Sequence, residues 1–421
     1  MTHARYDVCI VSTASVSTGP RVEKEADALS AAGYRVAVLV CHSLPSMVSW
    51  DARLAADRAW DLHVVDWLPR TRKRSLSSLP AIALHYGARR ALDAGAPVVT
   101  PLAALAASDR VLPLALRAAR IPARLYIAHN LGALPAAELA ARIRRTPFAF
   151  DAEDDHFGEL TKLRQGSPEG AMFKAVMDAM RRAAYVTAAS DGIAMALQAR
   201  HGIERPTTVL NAFSVELRQR LDGQRKDRRS DALSLCWYSQ NIGLDRGLQE
   251  VIAALGRVRG DFELHLRGDM VADVERELRR LAAEHGIARR VLFHPQVPPD
   301  ELLSRVAEHD VGLALEQDVN DNRLIAVTNK LLFYMLAGLA IVATDTPGQR
   351  GIARESGDAI ELYPRGDAGA LAACIQGFLD DRDRLAQRKQ QALDLALTRF
   401  NAEHELSKLP LLVARALDRS P

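Results

Sequence analysis

Short apolar, β-branched runs alternate with longer Ala/Leu/Arg-rich stretches along nearly the whole chain. YDVCIVS (6–12), YRVAVLVC (34–41), DLHVVDW (61–67), RLYIAH (124–129), PFAFDA (147–152), YVTAAS (185–190) and TTVLN (207–211) read as strands. Most are separated by amphipathic patterns, the first over 20–32, with Pro20 in its opening turn and Gly33 as its stop. Near-continuous apolar strands between such helices imply a parallel sheet covered on both faces.

The pattern then restarts. After the charged stretch LRQRLDGQRKDRRSD (217–231) come LSLCWYS, FELHLRG, RVLFHP, VGLALE, AIVATD and AIELY. The expected architecture is α/β, with two doubly wound Rossmann-like domains facing a cleft. Their spans are 1–213 and 231–395, with a linker at 214–230. A last helical segment, 396–421, is expected to pack back on the first domain. Ligands of open α/β sheets lie at the carboxyl ends of the strands, so each candidate motif is tested by whether it ends a strand.

Composition narrows the function. The 421 residues are 48% hydrophobic and 25% charged with a net charge of +3, which suits a globular protein and gives no case for nucleic-acid binding. Cys9, Cys41, Cys236 and Cys374 are scattered, as expected of a reducing, cytoplasmic compartment. The start of the chain lacks a signal-peptide pattern, and its apolar stretches are too short or too broken to span a bilayer. GxGxxG, GxxxxGK[ST], HExxH and GxSxG are absent. DVNDNR (318–323) lacks the glycine and glutamate of a calcium loop.

Four motifs remain as the main candidates. STASVSTGPRVEKEA follows the first strand, and Gly19 sits where a helix N-terminus can receive an anion; an ordinary connection is the competing reading. WYSQNIGLDRGLQEV opens the second domain: Ser239 and Gln240 end its strand, and Arg246 precedes Gly247 at the next helix. A guanidinium there suits a diphosphate, against the plainer reading of a solvated arginine. In TNKLLFYMLAGLAIVATDTPG (328–348), Thr328 reads as an N-cap, with Asn329 and Lys330 in the first turn. A lysine at a helix N-terminus is electrostatically backward unless an anion binds there. In FAFDAEDDHFGE (148–159), an apolar strand empties into Asp151, Glu153, Asp154, Asp155 and His156. A catalytic group, a solvated acid patch and a metal site are the readings of this stretch. His129 and Asn130 end another strand, with a structural histidine as the equal alternative.

The order of these pieces resembles the GT-B glycosyltransferases, specifically the retaining family 4. TGPRVEKEADALSAAGYRVAVL, ASDGIAMAL, TTVLNAFS, IGLDRGLQEVIAAL and, most specifically, NKLLFYMLAGLAIVATDTPG carry the resemblance. It implies transfer of a sugar, with retention, from a nucleotide-sugar donor to a glycan or lipid-linked acceptor. It implies no obligatory metal or other cofactor. By the same resemblance Arg246 grips the donor diphosphate, Asn329 and Lys330 lie on the nucleotide-sugar side, and His156 with Asp154 lies near the transferred sugar. Two departures stand out: Ser239, Gln240 and Asn241 replace a Gly-Arg pair, and Ile325 and Phe333 replace paired glutamates. The alternative is a non-catalytic GT-B partner that binds a nucleotide or glycan. Finally, Arg70, Arg72, Lys73 and Arg74 precede an apolar helix pattern that also carries arginines, so an anionic membrane surface is a candidate partner and a basic solvated loop is the competing reading.

Overall fold

Each of the thirteen strand runs contains a strand in the structure, a computed structural model describing residues 5–67, 79–228 and 230–418. The chain divides into two units, Met1–Val209 with Leu406–Pro421, and Leu210–Glu405.

The first unit holds β1 (Tyr6–Ser12), β2 (Val36–His42), β3 (Asp61–Asp66), β4 (Ala123–His129), β5 (Phe148–Ala152), β6 (Val186–Ala188) and β7 (Thr207–Thr208). All pair in parallel, in the order β3-β2-β1-β4-β5-β6-β7. Every residue of β2 and β5 is buried, whereas the edge strand β3 is half-buried in its middle and exposed at its ends. This is the burial expected of a sheet sandwiched between helix layers. The helix Lys408–Asp418 lies against the helix Pro20–Ala31 and β4, adding Leu409 and Val413 to this unit's core.

The second unit holds β8 (Leu233–Asn241), β9 (Phe262–Asp269), β10 (Val291–His294), β11 (Val311–Ala314), β12 (Ala340–Thr344) and β13 (Ile360–Tyr363). They are parallel, in the order β10-β9-β8-β11-β12-β13. Strand order reverses between β1 and β4 in one sheet, and between β8 and β11 in the other, so each unit has one switch point. The helix Asn329–Ala337 is buried from Leu331 to Ala337 and seats Tyr334 on β11. A Cβ on Gly312 would meet that ring at 2.3 Å, so only glycine lets helix and strand approach this closely.

Residues 214–230 lie within the second unit. Asp227 in that stretch ion-pairs with Arg267, and its Oδ1 is 3.3 Å from His294 Nδ1. His294 stacks on His265, with ring centroids 5.2 Å apart, and the tilted His309 ring lies 4.5 Å from His265. Glu263 Oε2 is 3.3 Å from His265 Nε2, and Ser234 Oγ is 2.7 Å from His309 Nδ1. Burial, reinforced by the neighbouring His294, pushes His265 down to about 4. His309 is also lowered, by burial and by His265.

Acid should therefore loosen this unit. Between about 6.5 and about 4 the unfolded chain takes up protons that native His265 refuses, so stability falls as pH falls through that window. Each depressed pKa unit is about 1.4 kcal/mol, or roughly 2–4 °C in melting temperature for a domain of this size. Thermal melts from pH 7.5 to 4.5 should show the decline, and His265→Asn should flatten it. Parallel curves for both proteins would contradict this account.

Candidate functional site

The strand ends of the first unit carry a buried polar row. Ser12, His129, Asp151 and Thr187 share one register across β1, β4, β5 and β6, and all four are at most 3% exposed. Buried polar groups need partners, and the helix Pro20–Ala31 supplies two, Arg21 and Glu25, one turn apart. Arg21 grips Asp151 bidentately, Nε to Oδ2 at 2.5 Å and Nη2 to Oδ1 at 2.7 Å, and its Nη1 donates to the Val209 carbonyl. Thr187 donates to Asp151, and His129 Nε2 lies 2.6 Å from Glu25 Oε2. Burial alone would raise the Asp151 pKa, but Arg21 and His129 hold it well below the usual range. Burial would likewise lower His129, and Glu25 and Asp151 reverse that, so its pKa is raised.

The turn after β1 is fixed by a residue the sequence did not flag. Asp51 is fully buried and accepts from the amides of Val16 and Ser17 and from the Ser17 hydroxyl, with His42 Nε2 at 3.0 Å. The amides of Thr18 and Gly19 donate to Ser15 and Val16 carbonyls. The four amides of residues 16–19 thus have protein acceptors. Gly19 itself, at φ −121°, has room for a Cβ. Asn130 adopts a left-handed φ of 66°, with its side chain joined to Thr13 and Ser12.

The acidic stretch divides by role. Asp151 belongs to the row just described. Asp155 is buried and accepts from Arg200, whose guanidinium also covers the Phe157 ring. Asp154 and His156 are half-buried, and Glu153 is exposed. His156 Nδ1 is 2.9 Å from Glu159 Oε2, while its Nε2 is buried with no hydrogen-bond partner among the described residues. Burial alone would lower the His156 pKa; the Glu159 hydrogen bond and the charges of Glu159, Asp154 and Asp155 outweigh it and raise the pKa.

In the second unit, basic side chains converge near the ends of β8 and β11. Lys330, in the first turn of the helix Asn329–Ala337, places Nζ 3.6 Å from Glu316 Oε1 and 5.4 Å from the centre of the Trp237 ring. Burial lowers its pKa, as do the neighbouring Arg246 and Arg323, with Glu316 opposing them. Arg246 Nε lies 3.5 Å from Asp245 Oδ1 and Arg323 Nη1 3.7 Å from Asp245 Oδ2. Gly247, at φ 75°, lets the Arg246 loop pack against Leu315 just after β11, because a Cβ there would stand 2.8 Å from the Leu315 carbonyl oxygen. Thr328 caps the Lys330 helix through its backbone conformation, without a side-chain cap bond, and Asn329 is exposed. Ser239 is half-buried and Gln240 exposed at the end of β8, with the Gln240 carbonyl accepting from Gln296. Phe333 is buried against Phe213 and Tyr238, so its position is part of the core. An open cavity of about 530 Å³ adjoins the Arg246 loop, lined in part by Asp245, Gly247, Glu250 and Gln317. Among the described residues no group of three His, Cys, Asp or Glu is placed to hold a metal ion.

Residues 236–381 match the family model described as Glycosyl transferases group 1. No curated protein sequence matches the chain. HepE of Anabaena, solved with UDP, is similar in fold at a TM-score of 0.69 and 16% identity, over 97% of this chain and 99% of that one. It has also been solved with UDP and glucose, and with UDP-glucose. A glycosyltransferase from Rickettsia africae has a TM-score of 0.69 at 13% identity, covering 99% of both chains. Sucrose-phosphate synthase from Thermosynechococcus elongatus has 0.66 at 15%, over 99% of this chain and 100% of that one. The fold is that of the GT-B transferases.

The Arg21–Asp151 pair is expected to be structural. Removing one partner leaves a buried charge uncompensated, which costs about 3–5 kcal/mol. Arg21→Met and Asp151→Leu should each destabilise by that amount in denaturant unfolding, and the double variant by clearly less than their sum. Single variants within about 1 kcal/mol of the wild type would contradict the role.

Proposed function

We propose that this chain, whose second unit matches Glycosyl transferases group 1 over residues 236–381, is a GT-B glycosyltransferase acting on a nucleotide-sugar donor. The observation that carries the reading is the convergence of Arg246 and Lys330 at the β8 and β11 ends, beside a helix N-terminus. Positive charge there suits a diphosphate, and guanidinium–phosphate contacts are among the strongest charge-assisted hydrogen bonds. The UDP complexes of HepE make uridine nucleotides the first donors to test.

The acceptor is proposed to be a glycan or lipid-linked hydroxyl. The bond from the anomeric carbon to the diphosphate breaks, and a bond to the acceptor oxygen forms with retention. The acceptor proton passes to His156, whose Nδ1 is engaged by Glu159 while Nε2 lacks a partner among the described residues. Asp154 supplies negative charge beside it. Charge on the leaving diphosphate is met by side chains and the helix N-terminus, with no obligatory metal in the scheme. The buried Phe333 favours one second reading, a nucleotide-binding partner without turnover, since no carboxylate stands at that position.

Arg70, Arg72, Lys73 and Arg74 lie outside the described residues. The helix that follows, Leu79–Asp93, exposes Leu79, Leu84 and Tyr86, and Trp50 and Val48 are exposed on Pro45–Ala55. Exposed apolar side chains on a helix that follows a basic cluster in sequence support docking on an anionic membrane from the cytoplasmic side. No helix among the described residues is long and apolar enough to cross a membrane.

Three outcomes are expected. Arg246→Ala should weaken nucleoside diphosphate binding by about tenfold to a hundredfold in calorimetry, the range of a charge-assisted contact; unchanged affinity would remove Arg246 from the site. His156→Ala should lower kcat by about a hundredfold or more with little change in donor affinity. Because the base must be neutral and its pKa is raised, wild-type kcat should climb as pH rises past the ordinary histidine range, and chelator should leave it unchanged. A pH-independent kcat, or reversible loss with chelator, would refute that scheme. Neutralising the four basic residues should reduce sedimentation with anionic vesicles; equal binding to neutral vesicles would contradict docking.

A further inference from the structure

We infer that Arg323 is a third phosphate-gripping cation of the second unit, acting beside Arg246 and Lys330 on the donor diphosphate. This rests on the proposed function, since that reading supplies the diphosphate. Arg323 sits on the short helix Asp321–Ile325, whose start is fixed by Asn320 accepting from the Arg323 amide at 2.9 Å. The backbone is thus held in place while the guanidinium reaches across to Asp245.

The contacts there are longer than those of the chain's closely paired guanidiniums. Arg21 meets Asp151 at 2.5 and 2.7 Å, and Arg350 meets Asp345 at 2.7 and 2.8 Å. Arg323 stands 3.7 Å from Asp245, Arg246 stands 3.5 Å from the same carboxylate, and Lys330 stands 3.6 Å from Glu316. Charge-assisted hydrogen bonds close to about 2.7–2.9 Å, so all three cations keep hydrogen-bonding capacity in reserve. Three cations here face two carboxylates, Asp245 and Glu316. Their side chains are 25%, 31% and 15% exposed for Arg323, Arg246 and Lys330, reachable yet partly shielded from water.

Like charges gathered in a partly desolvated place repel one another, and an anion relieves that repulsion. A diphosphate suits the arrangement better than a monophosphate. Its two phosphoryl groups offer separate oxygens to two guanidinium forks and one ammonium. Asp245, between Arg246 and Arg323, is placed to orient both guanidiniums without saturating either.

The test titrates wild type, Arg323→Ala and Arg323→Lys with UDP, UMP and inorganic pyrophosphate by calorimetry, alongside thermal melts. The expected result is about a tenfold or larger loss of UDP and pyrophosphate affinity in Arg323→Ala. UMP affinity should change much less, Arg323→Lys should recover part of the loss, and melting temperatures without ligand should stay near wild type. If Arg323→Ala is unstable, Arg323→Gln gives the same comparison with the stem retained. A wild type that binds UDP while the variants bind it equally well, or lose UDP and UMP alike, overturns the inference and leaves the proposed function standing. A wild type that binds none of the three, nor any other nucleoside diphosphate, overturns both.

Discussion

A parallel sheet buried on both faces tolerates polar side chains only where each is partnered, and partners are easiest to supply at the strand ends. That constraint organises both units. Along their lengths the strands are almost wholly apolar: β2 runs buried from Val36 to His42, and β12 from Ala340 to Thr344. The candidate sites lie at the carboxyl edge, where chain direction also gathers the starts of the following helices. At that edge the two units part ways. In the first, the row Ser12, His129, Asp151 and Thr187 is closed off by Arg21 and Glu25 into a paired, buried network. In the second, the cations are only loosely matched by Asp245 and Glu316. A closely paired network fixes a structure, whereas like charges that are only loosely matched can turn to a ligand.

The same contrast separates the residues of DAEDDH. Asp151 faces Arg21 and anchors the helix Pro20–Ala31 to β5; Asp155 holds Arg200. His156 is left with one engaged nitrogen and one without a partner among the described residues, and Glu159, Asp154 and Asp155 are the acids bearing on it. A cluster that reads as one acidic run is therefore two structural anchors beside one histidine with reserve capacity.

The strands were legible because each is a contiguous apolar run, and helix limits were legible where glycine stops the chain, as at Gly33 and Gly338, both at positive φ. Lys330 was legible because a lysine in a first turn breaks a local electrostatic rule. The partners were not. Arg21 and Asp151 are 130 residues apart and Asp51 lies 34 residues from Ser17, so no window of sequence contains either contact. Arg323 lies within DVNDNR, whose only sequence signal is an incomplete calcium-loop pattern, and its convergence on Asp245 exists only once β8 and β11 are adjacent. The clustered histidines His265, His294 and His309 come from β9, β10 and the loop before β11, each unremarkable in its own run.

The central claim is that the second unit holds a nucleotide sugar by its diphosphate and that the chain turns it over. Proton NMR of the anomeric region, followed while the protein is incubated with a panel of nucleotide sugars and candidate acceptors, tests this most directly. The account predicts that one donor is consumed, that nucleoside diphosphate is released in step, and that the product keeps the donor's anomeric configuration. Donors that bind yet persist unchanged with every acceptor would contradict it, and would identify a nucleotide-binding protein in place of a transferase.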